Sequence, residues 1–457
     1  MKTQTAGDLL AGPVAPLILR IAMPSMAAML ASSLCTLADA LLLSRGSTQL
    51  SAAVSVSFSL LTLIQALGFT LGMGAGSFVS RSLGRGDKPA AYAAASTAFF
   101  AALALSVLLC APGALLAAPL VCLLGSPEDI VPSAAAYARY VLASGPLLCA
   151  SLVLSSLLRA QGKTVPNMLA FSAGAAVGIP LELLLVRGMG LGVHGGGISM
   201  LSREGVTLAI LAVAALRERH LVRPRVRGIV LRLRVWRDIM RSGLPTLLRQ
   251  GLMSVSSILL TRASASFGEG MLAGMGLCVR ASALITAAVI GFGQGFQPVC
   301  GVAFGAGDMA RVRSAYRFCQ RSVVLALAAA GAAVFCLARP LLALFGPEED
   351  VLAAASAALR AQSAVFFAQG AVIMMNMLTQ ALGLTVRASL VAASRQGFVF
   401  IPLVLLLPRL LGPAGLILCQ SVSDVLSLLL CFFITRGALT GSACARGGCS
   451  DARTASR

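Results

Sequence analysis

The sequence predicts an all-α membrane protein, with twelve transmembrane helices in two six-helix bundles related by a pseudo-two-fold axis along the membrane normal. Three observations predict it. The chain is 58% hydrophobic and only 11% charged over 457 residues, whereas a soluble domain carries charge on roughly a quarter of its residues. Its apolar residues fall in long runs that recur from Leu17 to Phe433, and a spanning helix needs about 20 such residues. Finally, landmarks of the first half return in the second at one constant offset.

The spans are placed in order at 16–43, 51–78, 90–118, 134–158, 165–186 and 191–216, then at 241–266, 271–300, 319–338, 350–378, 389–407 and 412–435. The first run, Leu17 to Leu43, is too long for a signal-peptide core and has Arg20 near its start, so it reads as a span. Alternate loops carry positive charge. Arg81, Arg85 and Lys88 follow the second span, Arg159 and Lys163 the fourth, and Arg311, Arg313, Arg317 and Arg321 the eighth; Arg387 and Arg395 flank the loop after the tenth. The stretch 217–241 that joins the sixth and seventh spans holds nine Arg. The opposite loops hold Glu128, Asp129, Glu269, Glu348, Glu349 and Asp350. By the positive-inside rule both termini and the basic loops are cytoplasmic. The net charge of +20 thus reads as an orientation signal and an attraction to anionic membrane lipids, and no nucleic-acid partner is expected.

The repeat has an offset of 221 positions. Arg20 and Pro24 match Arg241 and Pro245, Gly72 and Gly74 match Gly293 and Gly295, and Gly84-Arg-Gly-Asp87 matches Gly305-Ala-Gly-Asp308. Gly125, Asp129 and Arg139 match Gly346, Asp350 and Arg360, and Gly162 and Thr164 match Gly383 and Thr385. The register then slips: Pro180 matches Pro402, and Gly192 and Gly195 match Gly412 and Gly415. Six helices return the chain to its starting side, so the repeats are parallel and leave a cleft between two lobes. The domains follow: a first bundle over 1–216, a basic cytoplasmic linker over 217–240, a second bundle over 241–436, and a disordered polar tail over 437–457. Pro24, Pro245, Gly72 and Gly293 are candidate hinge positions, because proline removes a helical hydrogen bond and glycine loosens the backbone. Close packing through small residues explains the glycines equally well.

The twelve cysteines are scattered through apolar runs without zinc-ligand spacing, Cys444 and Cys449 lie in the polar tail, and the two histidines, His194 and His220, stand alone. No metal site, cofactor or catalytic constellation is expected, and an intramembrane enzyme is disfavoured.

Ionisable groups at membrane depth are costly and mark function by default. Asp39 lies about 33 Å along the first span and Glu182 about 26 Å along the fifth, at 1.5 Å per residue. Both spans start in the cytoplasm, so the two carboxylates share one depth in the outer half of the first bundle, where they could share a proton or bind a cation. Either could instead be a solvated helix end. Glu204 and Asp424 are repeat equivalents in the last span of each half, with a structural role favoured over ion coupling. Arg203 and Glu204, adjacent in sequence, are expected to point apart. Arg280, midway along the eighth span, also needs a partner, and Asp424 is the candidate. Arg249 and Arg262 are placed near helix ends, where they can snorkel. Neutral groups suited to hydrogen-bonding a substrate, or to tying helices together, are Gln65, Ser155, Gln250, Gln294, Gln297, Gln369, Asn376 and Gln380. They are taken as the substrate cavity.

The stretches GFTLGMGAGSFVSRSLGRGDKPAA, LLRAQGKTVPNM, GLPTLLRQGL, GFGQGFQPVCGVAFGAGDMARV and SRQGFVFIPLVLLLPRLLGPAGL resemble the MATE (multidrug and toxic-compound extrusion) family. The resemblance covers roughly residues 12–436, and GQGFQP is similar to its bacterial DinF-like and MepA-like branches. It implies a central cavity between two bundles and antiport of a substrate against protons or sodium, with no enzymatic reaction. The family's Asp is matched by Asp39. Its Asn and Asp four residues apart in the fifth span read Gly178 and Glu182 here, and its Asn pair near the end of the fourth reads Ser155 and Ser156. One branch places sodium ligands in the seventh and tenth spans, where this chain has no acid. The expectation is a monomeric multidrug exporter of the bacterial inner membrane that moves small organic cations. Asp39 and Glu182 would carry the coupling ion, H+ or Na+, and the second bundle would mainly contact substrate. A lipid-linked saccharide flippase of the same superfamily is the alternative. It would need a strongly cationic cavity, and a channel would need no two-lobe hinge.

Overall fold

The computed structural model describes residues 6–44, 48–123, 130–217, 222–230, 233–343 and 348–436. The expectations for Gly125, Glu128, Asp129, His220, Gly346, Cys444, Cys449 and the tail lie outside the described residues. A short α1 (Ala6–Leu10) precedes α2 (Val14–Ser44), α3 (Thr48–Gly84), α4 (Lys88–Leu115), α5 (Ala117–Leu123), α6 (Val131–Ala160), α7 (Val165–Leu183) and α8 (Gly192–Arg217). The second half holds α9 (Leu233–Ala265), α10 (Glu269–Gly305), α11 (Met309–Ala343), α12 (Glu349–Ser363), α13 (Phe366–Ala381), α14 (Thr385–Ala393) and α15 (Phe400–Thr435).

These elements make twelve spans once three local features are read. α12 and α13 form one span bent by 56°. α14 runs through a π-helical turn, Ser394–Phe398, into α15, and α15 is itself two spans folded at Gly412, whose φ of 59° and ψ of −140° leave the helix. α9 is the least apolar span, diluted by Arg234, Arg237, Asp238, Arg241, Arg249 and Arg262. It begins at Leu233, inside the stretch read as linker. Arg249 therefore lies well inside α9 rather than near its start, a correction to its placement as a snorkelling residue. What remains of the linker docks on the first bundle: Val222 and Gln161 exchange hydrogen bonds of 2.6 and 3.0 Å, and the Val230 amide donates to Thr97.

The repeat is visible in the backbone. Gly86 and Gly307, and likewise Gly162 and Gly383, all adopt positive φ, between 72° and 82°, in the tight turns of the basic end. Only glycine takes that conformation without a Cβ penalty. Asp87 and Asp308 then cap the helices that follow, accepting from the amides of Ala90 at 3.0 Å and Arg311 at 2.9 Å.

The two bundles meet through α2 with α10, α3 with α9, and α3 with α10. Glycines set these contacts, and the contacts obey the repeat. A methyl group on Gly84 would strike the carbonyl of Val302, and one on Gly305 would strike that of Arg81, the repeat equivalent of Val302. Gly74 meets the Ile239 carbonyl on α9, and its equivalent Gly295 meets the backbone of Ala22 on α2. Gly72 and Gly293, the hinge candidates, pack inside their own bundles against Ser156 and Met377, which are themselves repeat equivalents. Pro24 and Pro245 lie inside α2 and α9.

Candidate functional site

Four charged side chains gather in the first bundle. Arg203 on α8 donates from Nη1 to Asp39 Oδ2 on α2 at 2.6 Å, and its Nε lies 3.5 Å from Glu204 Oε1. The expectation that Arg203 and Glu204 point apart is thus wrong: the guanidinium curls back along its own helix and reaches both acids. Glu182 on α7 is 2% exposed and lies near enough to Asp39 and Arg203 for their charges to interact. Asp39 Oδ1 and Glu182 Oε1 are both buried without a hydrogen-bond partner. Three carboxyl groups thus face one guanidinium.

α7 is shaped to admit that guanidinium. A Cβ on Gly178 would stand 3.2 Å from Cβ and Cδ of Arg203, and a Cβ on Gly174 would meet the Thr207 hydroxyl and the Arg203 carbonyl. Ser199 ties α8 to this groove by donating to the Gly178 carbonyl at 2.7 Å. A larger residue at position 178 would occupy the space of the Arg203 stem. The missing amide at Gly178 and the presence of Arg203 are therefore one structural fact. Sequence reasoning did not assign Arg203 to the site; the signal for it was the pair of small residues one turn apart on α7.

The second bundle treats its acid differently. Asp424 is fully buried and accepts from Arg395 Nε at 2.6 Å, from Arg395 Nη2 at 3.4 Å and from Gln420 at 3.1 Å. Its partner is Arg395, not Arg280 as expected. Arg395 sits in the π-helical turn before α15, a position the sequence read as flanking the loop after the tenth span. Arg280 is exposed on α10, and no acid among the described residues pairs with it. It lies three turns from Gly291, about 20° away around the helix, so it shares the face that turns toward α2.

The expected cavity residues divide into two sets. Gln297 Nε2 donates to Gln380 Oε1 at 3.1 Å, Gln380 to Asn376 Oδ1 at 3.0 Å, and Asn376 to the Ala388 carbonyl at 3.0 Å. Gln294 and Gln297 face Ser156 and Arg159 across the bundle interface, and Ser155 accepts from Arg159 at 2.7 Å. These residues form one polar zone near the basic end. Gln369 is held apart by its bond to Thr286 at 2.6 Å, and Gln65 and Gln250 lie on α3 and α9 outside that network. His194 has a neighbour after all: Tyr140 lies 3.2 Å from its Nδ1.

This architecture defines a polytopic helical membrane protein of two pseudo-symmetric bundles, with charged and polar side chains gathered inside and between them. The MatE family model matches residues 24–184 and 245–406, one match in each bundle, and the chain belongs to that family. Among similar proteins, the multidrug export protein MepA of Staphylococcus saprophyticus is 21% identical over 398 residues, 86% of this chain and 88% of that one. The FAD transporter of Shewanella oneidensis is 23% identical, covering 94% of this chain and 96% of that one. A crystal structure of MATE in complex with MaL6 superposes with a TM-score of 0.91 at 23% identity, covering 97% of this chain and 100% of that one.

Proposed function

We propose that this protein is a multidrug exporter of the bacterial inner membrane, both termini cytoplasmic, that antiports small organic cations against protons or sodium by alternating access. The observation that carries this is the acid cluster of the first bundle, where Asp39 and Glu182 lie near one another and each keeps a buried oxygen without a hydrogen-bond partner. Two carboxylates at that range repel unless a proton or cation lies between them. Arg203 holds Asp39 from the other side and leaves the cluster with more acid than base. An organic cation and the coupling ion would compete for that excess charge, and the competition is the coupling. The membrane potential adds about 2.3 kcal/mol per charge per 100 mV. The multidrug export relatives support transport over catalysis, by a single chain.

The test is dye efflux from everted vesicles, with proton and sodium gradients imposed separately, for wild type and Asp39→Asn. The variant should lose gradient-driven export. Wild-type rates at normal expression would sink the assignment, and the gradient that drives the wild type names the ion.

A second reading, export of an organic anion, has one observation behind it. Arg280 is exposed on the α10 face that turns toward α2, with no acid partner among the described residues, and a relative is an FAD transporter. Flavin nucleotide uptake into the same everted vesicles, with the dye excluded, would favour it.

A further inference from the structure

A cavity of about 20 Å³ lies between the bundles near the basic end, away from the acid cluster. Ser77 and Ser80 from α3, Ser156 and Arg159 from α6, and Gln294 and Gln297 from α10 line it. Arg159 is 7% exposed. It donates to Ser155 Oγ at 2.7 Å and to Ser156 Oγ at 2.9 Å, and Nη2 lies 3.9 Å from Met73 Sδ. No carboxylate among the described residues pairs with it.

Two serine hydroxyls and a thioether do not neutralise a guanidinium, which keeps its charge in a protein interior. An uncompensated buried charge costs several kcal/mol. The rest of the lining carries no acid. Ser80 is spent on the Ser77 carbonyl at 3.1 Å, and Ser77 is a further hydroxyl residue of the lining. Gln294, 4% exposed, has a buried Oε1 without a partner, so its amide can turn its NH2 inward at no loss of a bond. The space exceeds the roughly 10–15 Å³ that one water needs, and is too small for phosphate or a carboxylate ligand.

We infer that this cavity binds a single halide-sized anion, chloride in the cell, held between Arg159 and Ser77 of the first bundle and Gln294 of the second. Because the lining comes from both bundles, the site is complete only while they are closed at the basic end. An anion that binds that state alone stabilises it in proportion to ln(1 + [L]/Kd). Chloride is then a ligand of the closed basic end, whatever the exported substrate.

The experiment uses the purified full-length protein. Chloride replaces gluconate at constant ionic strength while thermal unfolding is followed, and bromide-soaked crystals are examined for anomalous scattering. Chloride should raise the unfolding midpoint to saturation, bromide should substitute for it, and sulfate should not. A bromide peak should lie between Arg159 and Gln294. Arg159→Gln should abolish the response, and Gln294→Leu should weaken apparent affinity about tenfold, or about 1.4 kcal/mol. An equal effect of sulfate, an unchanged response in Arg159→Gln, or no bromide peak would overturn the assignment. Should Arg159→Gln not fold, the bromide map and Gln294→Leu decide on their own.

Discussion

In the first bundle, three acids surround one arginine, and two of their oxygens have no partner. In the second, one acid is saturated by Arg395 and Gln420, with no oxygen left over. The two bundles share the positive-φ glycines of their basic-end turns, but they differ in backbone as well as in side chains: α12 and α13 are bent by 56° where α6 is one continuous helix, and a π-helical turn carries Arg395. A saturated buried pair fixes helices; an unsaturated acid cluster keeps capacity for a proton, a sodium ion or a substrate. Under the proposed function, ion handling would fall to the first bundle and Asp424 would be a structural charge, although Glu204 and Asp424 occupy equivalent positions in the repeat.

The largest effect should come from breaking the saturated pair. Asp424→Leu strands Arg395 in the interior and should cost about 3–5 kcal/mol, read by thermal or denaturant unfolding. Asp424→Asn combined with Arg395→Gln should recover most of that stability and keep transport. Loss of gradient-driven export in a stably folded double variant would erase the contrast with Asp39→Asn.

A smaller effect should follow from restoring the amide that the first bundle lacks. Gly178→Asn places a Cβ 3.2 Å from the Arg203 stem and should cost about 1–3 kcal/mol by overpacking. Adding Arg203→Ala should relieve it, and the non-additivity measures the exclusion between an amide at 178 and an arginine at 203. Additive penalties would show that the groove on α7 is not what admits Arg203.

The smallest change expected is in selectivity. Arg280→Ala removes a cation from the α10 face that turns toward α2 and should favour cationic substrates by about 1 kcal/mol, the Coulomb energy of a solvated pair at roughly 4 Å. The readout is the ratio of apparent affinities for a cationic and a neutral dye. Loss of flavin nucleotide uptake in Arg280→Ala, with dye uptake kept, would instead favour the flavin-like reading over the cationic one.

Much of the fold was legible because glycine, proline and the capping aspartates are read by the backbone. Gly84, Gly86, Asp87 and their repeat partners could be placed from the sequence without knowing any contact. α9 was the hardest span to delimit, since its arginines mask its apolar face, whereas the break between the last two spans was placed from the sequence and falls at Gly412. The site was less legible because ion pairing depends on which helices touch. Asp39 and Glu182 could be matched by depth, whereas Arg203 was excluded by a rule about neighbouring helix positions that a long, flexible side chain evades. Arg395 was passed over because a basic residue beside a predicted turn reads as a loop charge, yet a π-helical turn carries it inward to Asp424.

The contact between Gly84 and Gly305 has one more consequence. Each residue meets the backbone around its own repeat copy, which is the self-complementary geometry found on the two-fold axis of a symmetric dimer. Near the axis the two halves constrain each other, and a side chain added on one helix meets the same obstacle on the other. Away from it the halves are free to diverge, which is where Arg159 faces the interface while its counterpart, Gln380, is a neutral amide. The fold is in this sense a homodimer written as one chain: symmetric where its halves touch, and asymmetric where it handles charge.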